Sequence, residues 1–160
     1  GRRGPENVLG SASTGLFLAL MINLNLANLT LLKVGFAASF AAKLADTFGS
    51  EIGKRYGKNT FLITTFKKVR QGTEGAISLE GTIASLFGAL IMSFVMFILG
   101  FITIGKGLFI VCFSGVAATI FESFIGATFQ EKFNLSNEAV NAIQTSFSAT
   151  LAIFSYKFIF

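Results

Sequence analysis

Long apolar stretches in close succession, sparse charge, and basic residues gathered in one short loop predict an all-α fold. The expected architecture is a multi-pass transmembrane helix bundle of about five helices. Charged residues are 13% and hydrophobic residues 52% of the 160-residue chain, and the mean hydropathy is +0.70. An average soluble domain carries about 25% charge, because its surface faces water. Lipid tails solvate apolar side chains and remove that need. The 17 Gly suit helices that approach closely in a membrane.

A spanning helix needs about 20 mostly apolar residues, and residues 8–30, 34–53, 79–104, 107–129 and 138–160 supply them in order. The first and last segments contain Asn, Ser and Thr, so each is expected to face protein in part. The second is the least apolar, with Lys43, Asp46 and Glu51 inside it or at its end. Ionisable groups in a membrane segment are costly, and by default they mark function. Residues 54–78 form the most polar connection. They hold Lys54, Arg55, Lys58, Lys67, Lys68 and Arg70 against the single acid Glu74, and are too few to fold alone. Asn134 and Ser136 predict a turn, with Ser136 or Asn137 capping the last helix. Asn23, Asn25 and Asn28 line a cavity or bond between helices. The chain opens with Gly1, which reads as a processed or partial protein, and residues 1–7 do not resemble a signal peptide.

If all five segments span, residues 1–7, 54–78 and 130–137 share one side. That side carries nine cations: Arg2, Arg3, the six of the loop, and Lys132. The opposite side carries three, Lys33, Lys106 and Lys157. The positive-inside rule puts the basic side in the cytoplasm or the equivalent stroma. Asp46, Glu51, Glu80 and Glu122 then gather near the mouth of the basic loop.

There is no His, which removes the usual metal ligand and the usual base near neutral pH. The lone Cys112 lies in an apolar run and reads as a small hydrophobe. Chemistry is left to carboxylates, lysines, hydroxyls and a hard metal ion. Three constellations carry it. In DTFGSEIGKRYGK at 46–58, Asp46, Gly49, Ser50 and Gly53 share a helical face. That face suits a hydrated ion or a phosphate. Equally, it suits helix packing, with Asp46 neutralised by Lys43. In FKKVRQGTEG at 66–75, three cations, two glycines and Thr73 suit a phosphate cradle, or a loop that meets anionic lipid head groups. It is not a Walker A loop, since no GxxxxGK[ST] pattern is present. In FESFIGATFQ at 121–130, Glu122 needs a cation, either the basic loop or a metal bridging to Asp46. Its alternative is a protonated carboxyl that fixes helix packing.

The runs ADTFGSEIGKRYGK at 45–58 and KKVRQGTEGAISLEGTIASLFGAL at 67–90 resemble a membrane family that includes transmembrane protein 19 and the phytyl phosphate kinases of plants and cyanobacteria. The opening GRRGPENVLGSASTGL and the ESFIGATFQEKF segment at 122–133 fit the same family. The resemblance covers essentially the whole chain. It implies a single integral membrane domain over 1–160 that lacks the N-terminal helices of a full-length protein. A more distant similarity, to dolichol kinases and CDP-diacylglycerol synthase, rests on Asp46, Gly53, Gly57, Lys58, Lys67, Lys68, Thr73, Glu74 and Gly75 in that order. The later acid, Glu122, follows Phe121 where those relatives have Gly-Asp or Asp-Ser, a departure from their pattern.

The resemblance implies phosphoryl transfer from CTP, or another nucleoside triphosphate, to phytyl phosphate. The phytyl diphosphate formed would feed tocopherol and phylloquinone synthesis. Asp46 and Glu122 would hold Mg²⁺. Lys67, Lys68 and Arg70 would neutralise the triphosphate, supported by Lys54 and Lys58. Gly72, Glu74 and Gly75 belong to the cradle, with Thr73 supplying a hydroxyl. The expected partners are membrane lipid, an isoprenoid phosphate and a nucleotide, and no nucleic acid. A homo-oligomer and a subunit of a membrane complex both stay open. In a photosynthetic eukaryote the expected location is the plastid envelope or thylakoid, and otherwise the cytoplasmic membrane. A cytidylyltransferase, a transporter using Asp46 and Glu122 as ion sites, and a structural subunit are the alternatives.

Overall fold

The computed structural model describes residues 5–158. Arg2, Arg3 and the last two residues of the fifth expected span lie outside the described residues. Five helices form one bundle: α1 (Pro5–Asn23), α2 (Leu29–Tyr56), α3 (Leu79–Ile98), α4 (Lys106–Ile125) and α5 (Asn137–Phe158). Between α2 and α3 a small hairpin pairs β1 (Thr60–Leu62) with β2 (Ala76–Ser78). The strands are antiparallel, with Thr60 opposite Ser78 and Leu62 opposite Ala76.

The expected all-α membrane bundle is present, and its helix bounds differ from the hydropathy segments. The first apolar segment breaks at Asn23, where Asn25 takes φ 52° and Asn28 caps α2 by accepting from Leu31 N at 3.2 Å. Thus α2 starts earlier than 34 and runs through Lys54 and Arg55 to Tyr56. These cations suit a helix C-terminus, where the unpaired carbonyls carry partial negative charge. The third segment stops at Ile98 instead of 104, because Gly100 (φ 73°) and Gly105 (φ 77°) turn the chain into α4. The fourth ends in a π-helical turn, Gly126–Gln130. Ser136 makes the expected cap on α5, its Oγ accepting from Ala139 N at 3.2 Å.

Packing is inverted relative to a soluble protein. On α3, Leu79, Ile83, Phe87, Phe94 and Ile98 are exposed, while Gly81, Ser85, Gly88 and Ser93 are buried. Large apolar side chains therefore face outward and small ones let the helices close, as a bilayer favours. Among the described residues, Leu79–Ile98 and Lys106–Gln130 are long and apolar enough to cross a membrane unaided, and Val8–Asn23 is a shorter apolar helix. α2 and α5 fall outside that set because α2 carries Lys33, Lys43 and Asp46 and α5 is rich in Asn, Gln, Ser and Thr, which lowers their hydropathy.

α2 is the central helix and packs on the other four. Its face of Ala37, Ala38, Ala41, Ala42 and Ala45 is fully buried, and it admits close backbones. A Cβ on Gly88 of α3 would come within 2.8 Å of Leu44 O, and one on Gly115 of α4 within 3.2 Å of Ala41. The core joins Val34 and the alanines to Met96, Ile110, Val111 and Ala152. α5 contributes a buried polar face of Asn141, Gln144, Thr145 and Ser148. Ser148 Oγ donates to Ala38 O at 2.9 Å, and Thr145 Oγ1 lies 2.9 Å from Thr14 Oγ1 of α1.

Candidate functional site

A cavity of about 540 Å³ occupies the hairpin end of the bundle, lined from all five helices and the hairpin. Val8 of α1, Thr73 of the hairpin connection and Asn137 of α5 all reach it. The starts of α1 and α5 and the connection between α2 and α3 therefore meet at one end. Along α2 the lining runs from Phe40 to Lys54, about 21 Å at 1.5 Å per residue. Ala12 and Phe40 lie toward the end away from the hairpin, Lys54 and residues 72–77 form the other, and Val8 and Ile120 add apolar surface between them.

Asp46, Lys54, Gly72, Thr73, Glu74, Gly75 and Glu122 all line this cavity. Residues far apart in sequence thus converge as the topology anticipates. Lys58, Lys67, Lys68 and Arg70 are exposed on the hairpin and outside the lining. Lys68 Nζ donates to Asn59 Oδ1 at 3.4 Å. The Arg70 carbonyl accepts from Thr73 Oγ1 at 2.7 Å. Glu80 also turns elsewhere, accepting from Lys58 N at 3.3 Å.

The glycine loop is held by contact with α4. Gly72 and Gly75 have φ 81° and 72°, a region that favours glycine. A Cβ on Gly75 would lie 2.6 Å from both Ala127 N and Ser123 O. Hence the loop backbone rests directly on the turn that follows Glu122. Gln71 Nε2 donates to Gly57 O and ties the loop to the end of α2. Gly49 and Gly53 carry the helix-packing role foreseen for their stripe. Gly49 abuts Ser85 and Gly81 of α3, and Gly53 faces Ser78 and Gly81.

Two participants escaped the sequence reading. Lys43, taken there only as a counter-ion, bridges Asp46 Oδ2 at 2.8 Å and Asn141 Oδ1 at 2.7 Å. Asn141 of α5, buried at 4% exposure, had no assigned role. The signal was present: Asn137, Asn141, Gln144 and Ser148 recur at helical spacing along one face of the last segment. The charged lining thus holds four carboxylates, Asp46, Glu51, Glu74 and Glu122, and two ammonium groups, Lys43 and Lys54. Among the described residues no cluster of three or more His, Cys, Asp or Glu is arranged to hold a metal. Two carboxylates on one cavity fit a hard ion that keeps water and phosphate ligands, such as Mg²⁺, rather than an all-protein cage.

A bundle with bulky apolar groups outward, small and polar groups inward, and a charged cavity at its basic end is an integral membrane protein with a hydrophilic chamber. The chain belongs to the family described as Integral membrane protein DUF92, whose model matches residues 1–149. It is 48% identical over 155 residues to the uncharacterized membrane protein sll0875 of Synechocystis, covering 96% of this chain and 60% of that one. It is 44% identical over 165 residues to Protein VTE6, chloroplastic, of Arabidopsis thaliana, covering 99% and 49%. To the uncharacterized membrane protein MJ0933 of Methanocaldococcus jannaschii it is 34% identical over 156 residues, covering 96% and 63%. The chain therefore spans about half to two-thirds of the length of these relatives. No solved structure matches it.

Proposed function

We propose that this chain carries the catalytic chamber of an isoprenoid-phosphate kinase. A phosphoryl group passes from a nucleoside triphosphate, with CTP the first candidate, to phytyl phosphate. The observation that carries the reading is the convergence of Asp46, Glu122 and the glycine loop 72–75 on one cavity that also has an apolar end. The resemblance to phytyl phosphate kinases supplies the substrate. The 44% identity to a chloroplastic protein supports a plastid membrane if the chain comes from a photosynthetic eukaryote. The cytoplasmic membrane is the counterpart elsewhere.

In this reading an oxygen of the acceptor phosphate attacks the γ-phosphorus. The bond to the β-phosphate oxygen breaks, and the nucleoside diphosphate leaves. The acceptor is already an anion, so no dedicated base is required, and catalysis is mostly positioning and charge neutralisation. Asp46 and Glu122 would hold Mg²⁺, which when bound offsets the charge of the phosphates. Loop 72–75 supplies backbone N–H donors and the Thr73 hydroxyl to the nucleotide phosphates. Lys54 reaches the same end of the cavity. Lys58, Lys67, Lys68 and Arg70 form a basic surface outside it that attracts the polyanion before entry.

The test uses the full-length protein in nanodiscs with phytyl phosphate, Mg²⁺ and CTP labelled at the γ- or α-phosphate. The expected result is γ-label in a lipid diphosphate, reduced about 100-fold or more by Asp46→Asn, as for loss of a group stabilising transition-state charge. α-Label in the lipid would instead identify a cytidylyltransferase. No labelled lipid from any of several prenyl phosphates would overturn the enzyme reading.

A further inference from the structure

We propose that Lys43 is the cation that receives the phosphate of the membrane-borne acceptor, and that Asn141 positions it. This inference rests on the kinase reading and divides its chamber into two subsites.

Lys43 and Lys54 are the ammonium groups on the cavity wall. They lie on the same helix, α2, three turns apart, about 16 Å at 1.5 Å per residue. Lys54 stands with the glycine loop at the hairpin end. Lys43 stands toward the end lined by Ala12 and Phe40. Val8 and Ile120 are 65% and 51% exposed on the outer surface of the bundle while also lining the cavity. The apolar part of the cavity wall therefore reaches the surface that faces lipid. A phosphate attached to an isoprenoid tail enters with its tail among apolar side chains; Ile120 lies near the level of Asp46, and of the two wall cations Lys43 is the nearer to Asp46 along α2. A nucleotide arriving from water meets Lys54 and loop 72–75 at the other end.

The hydrogen bonds of Lys43 favour this role over a simple counter-ion. An ammonium has three N–H donors. One is directed to Asp46 Oδ2 and one to Asn141 Oδ1. The side chain keeps 27% exposure, against 16% for Asp46. A counter-ion needs only the carboxylate. The second acceptor, on a helix packed across the cavity, fixes the direction of the head group and leaves one donor for a ligand. Asn141 makes no contact with substrate in this scheme and acts through Lys43.

Equilibrium binding of farnesyl phosphate to the full-length protein in nanodiscs, without nucleotide, tests the assignment, with farnesol as the uncharged control. Lys43→Met is expected to weaken farnesyl phosphate binding about 10- to 100-fold, the worth of one charge-assisted hydrogen bond, and to leave farnesol unchanged. Lys43→Arg should recover part of the loss. Asn141→Leu should weaken the phosphate several-fold and farnesol not at all, a split that a purely structural defect would not produce. Lys54→Met should change farnesyl phosphate binding less than threefold. Retained affinity in Lys43→Met, or no binding of farnesyl phosphate by the wild type, overturns the proposal. If Lys43→Met fails to fold, the Asn141→Leu split decides alone. An intact binding pattern without phosphoryl transfer keeps the acceptor subsite and removes the kinase.

Discussion

Replacing Gly75 by alanine probes how loop 72–75 is fixed to the bundle, and Gly72 provides an internal control. Both glycines have positive φ, 72° and 81°, so an alanine at either position carries a left-handed backbone cost of about 1–2 kcal/mol. Their surroundings differ. Around Gly72 the nearest atom to an added Cβ is Lys54 Cγ at 3.8 Å, an ordinary contact. At Gly75 the Cβ would sit 2.6 Å from Ala127 N and Ser123 O, both backbone atoms that cannot swing aside. Overpacking of that kind costs a further 1–3 kcal/mol or about that. Gly75→Ala should therefore be less stable than Gly72→Ala by roughly 1–3 kcal/mol. At about 2–4 °C per kcal/mol, that is a midpoint lower by roughly 2–12 °C. Thermal unfolding in one detergent, followed by circular dichroism, reads the difference. Equal midpoints for the two variants would refute the claim that the loop rests on the backbone after Glu122.

Two further substitutions probe the frame around the cavity. Ser78 caps α3, its Oγ accepting from Gly81 N at 3.1 Å in a buried setting, so Ser78→Ala should lose about 1 kcal/mol; an unchanged unfolding midpoint would show that the cap contributes nothing. Gln144 is fully buried, and among the described residues neither its Nε2 nor its Oε1 has a hydrogen-bond partner. Gln144→Met should therefore raise stability by about 1–3 kcal/mol, whereas a loss of similar size would mean that the amide is satisfied within the folded bundle.

The apolar helices were the most legible part of the sequence. α3 and α4 are long and apolar enough to declare themselves. The boundary between α1 and α2 was misplaced because Leu24, Leu26 and Leu29 alternate with the asparagines and carry the hydropathy across the turn. Side-chain chemistry decides that boundary, through the left-handed Asn25 and the capping Asn28. The hairpin was hidden by its charge. Its strands are three residues each, too short to show a period. At the site, the meeting of Asp46, Glu122 and loop 72–75 followed from which end of each helix they occupy. Net charge could not say which basic residues point inward. The loop cations lie on the hairpin's outer side, and Lys43 was masked by its neighbour Asp46. Asn141, 98 residues along the chain from Lys43, has no local pattern that names its partner.

That separation bears on how the protein enters its membrane. α2 carries Lys43 and Asp46 into the bundle, and a charged side chain at the middle of a lone inserted helix costs about 2.5–3.5 kcal/mol. α3 and α4 can partition into lipid on their own merits, but the groups that satisfy α2 from across the bundle, Asn141 and Ser148, are synthesised after both. During biogenesis, then, α2 emerges long before its complement exists. Until α5 arrives, the insertion machinery or the aqueous side must shelter its polar face, which makes integration of the charged helix an event that α5 completes.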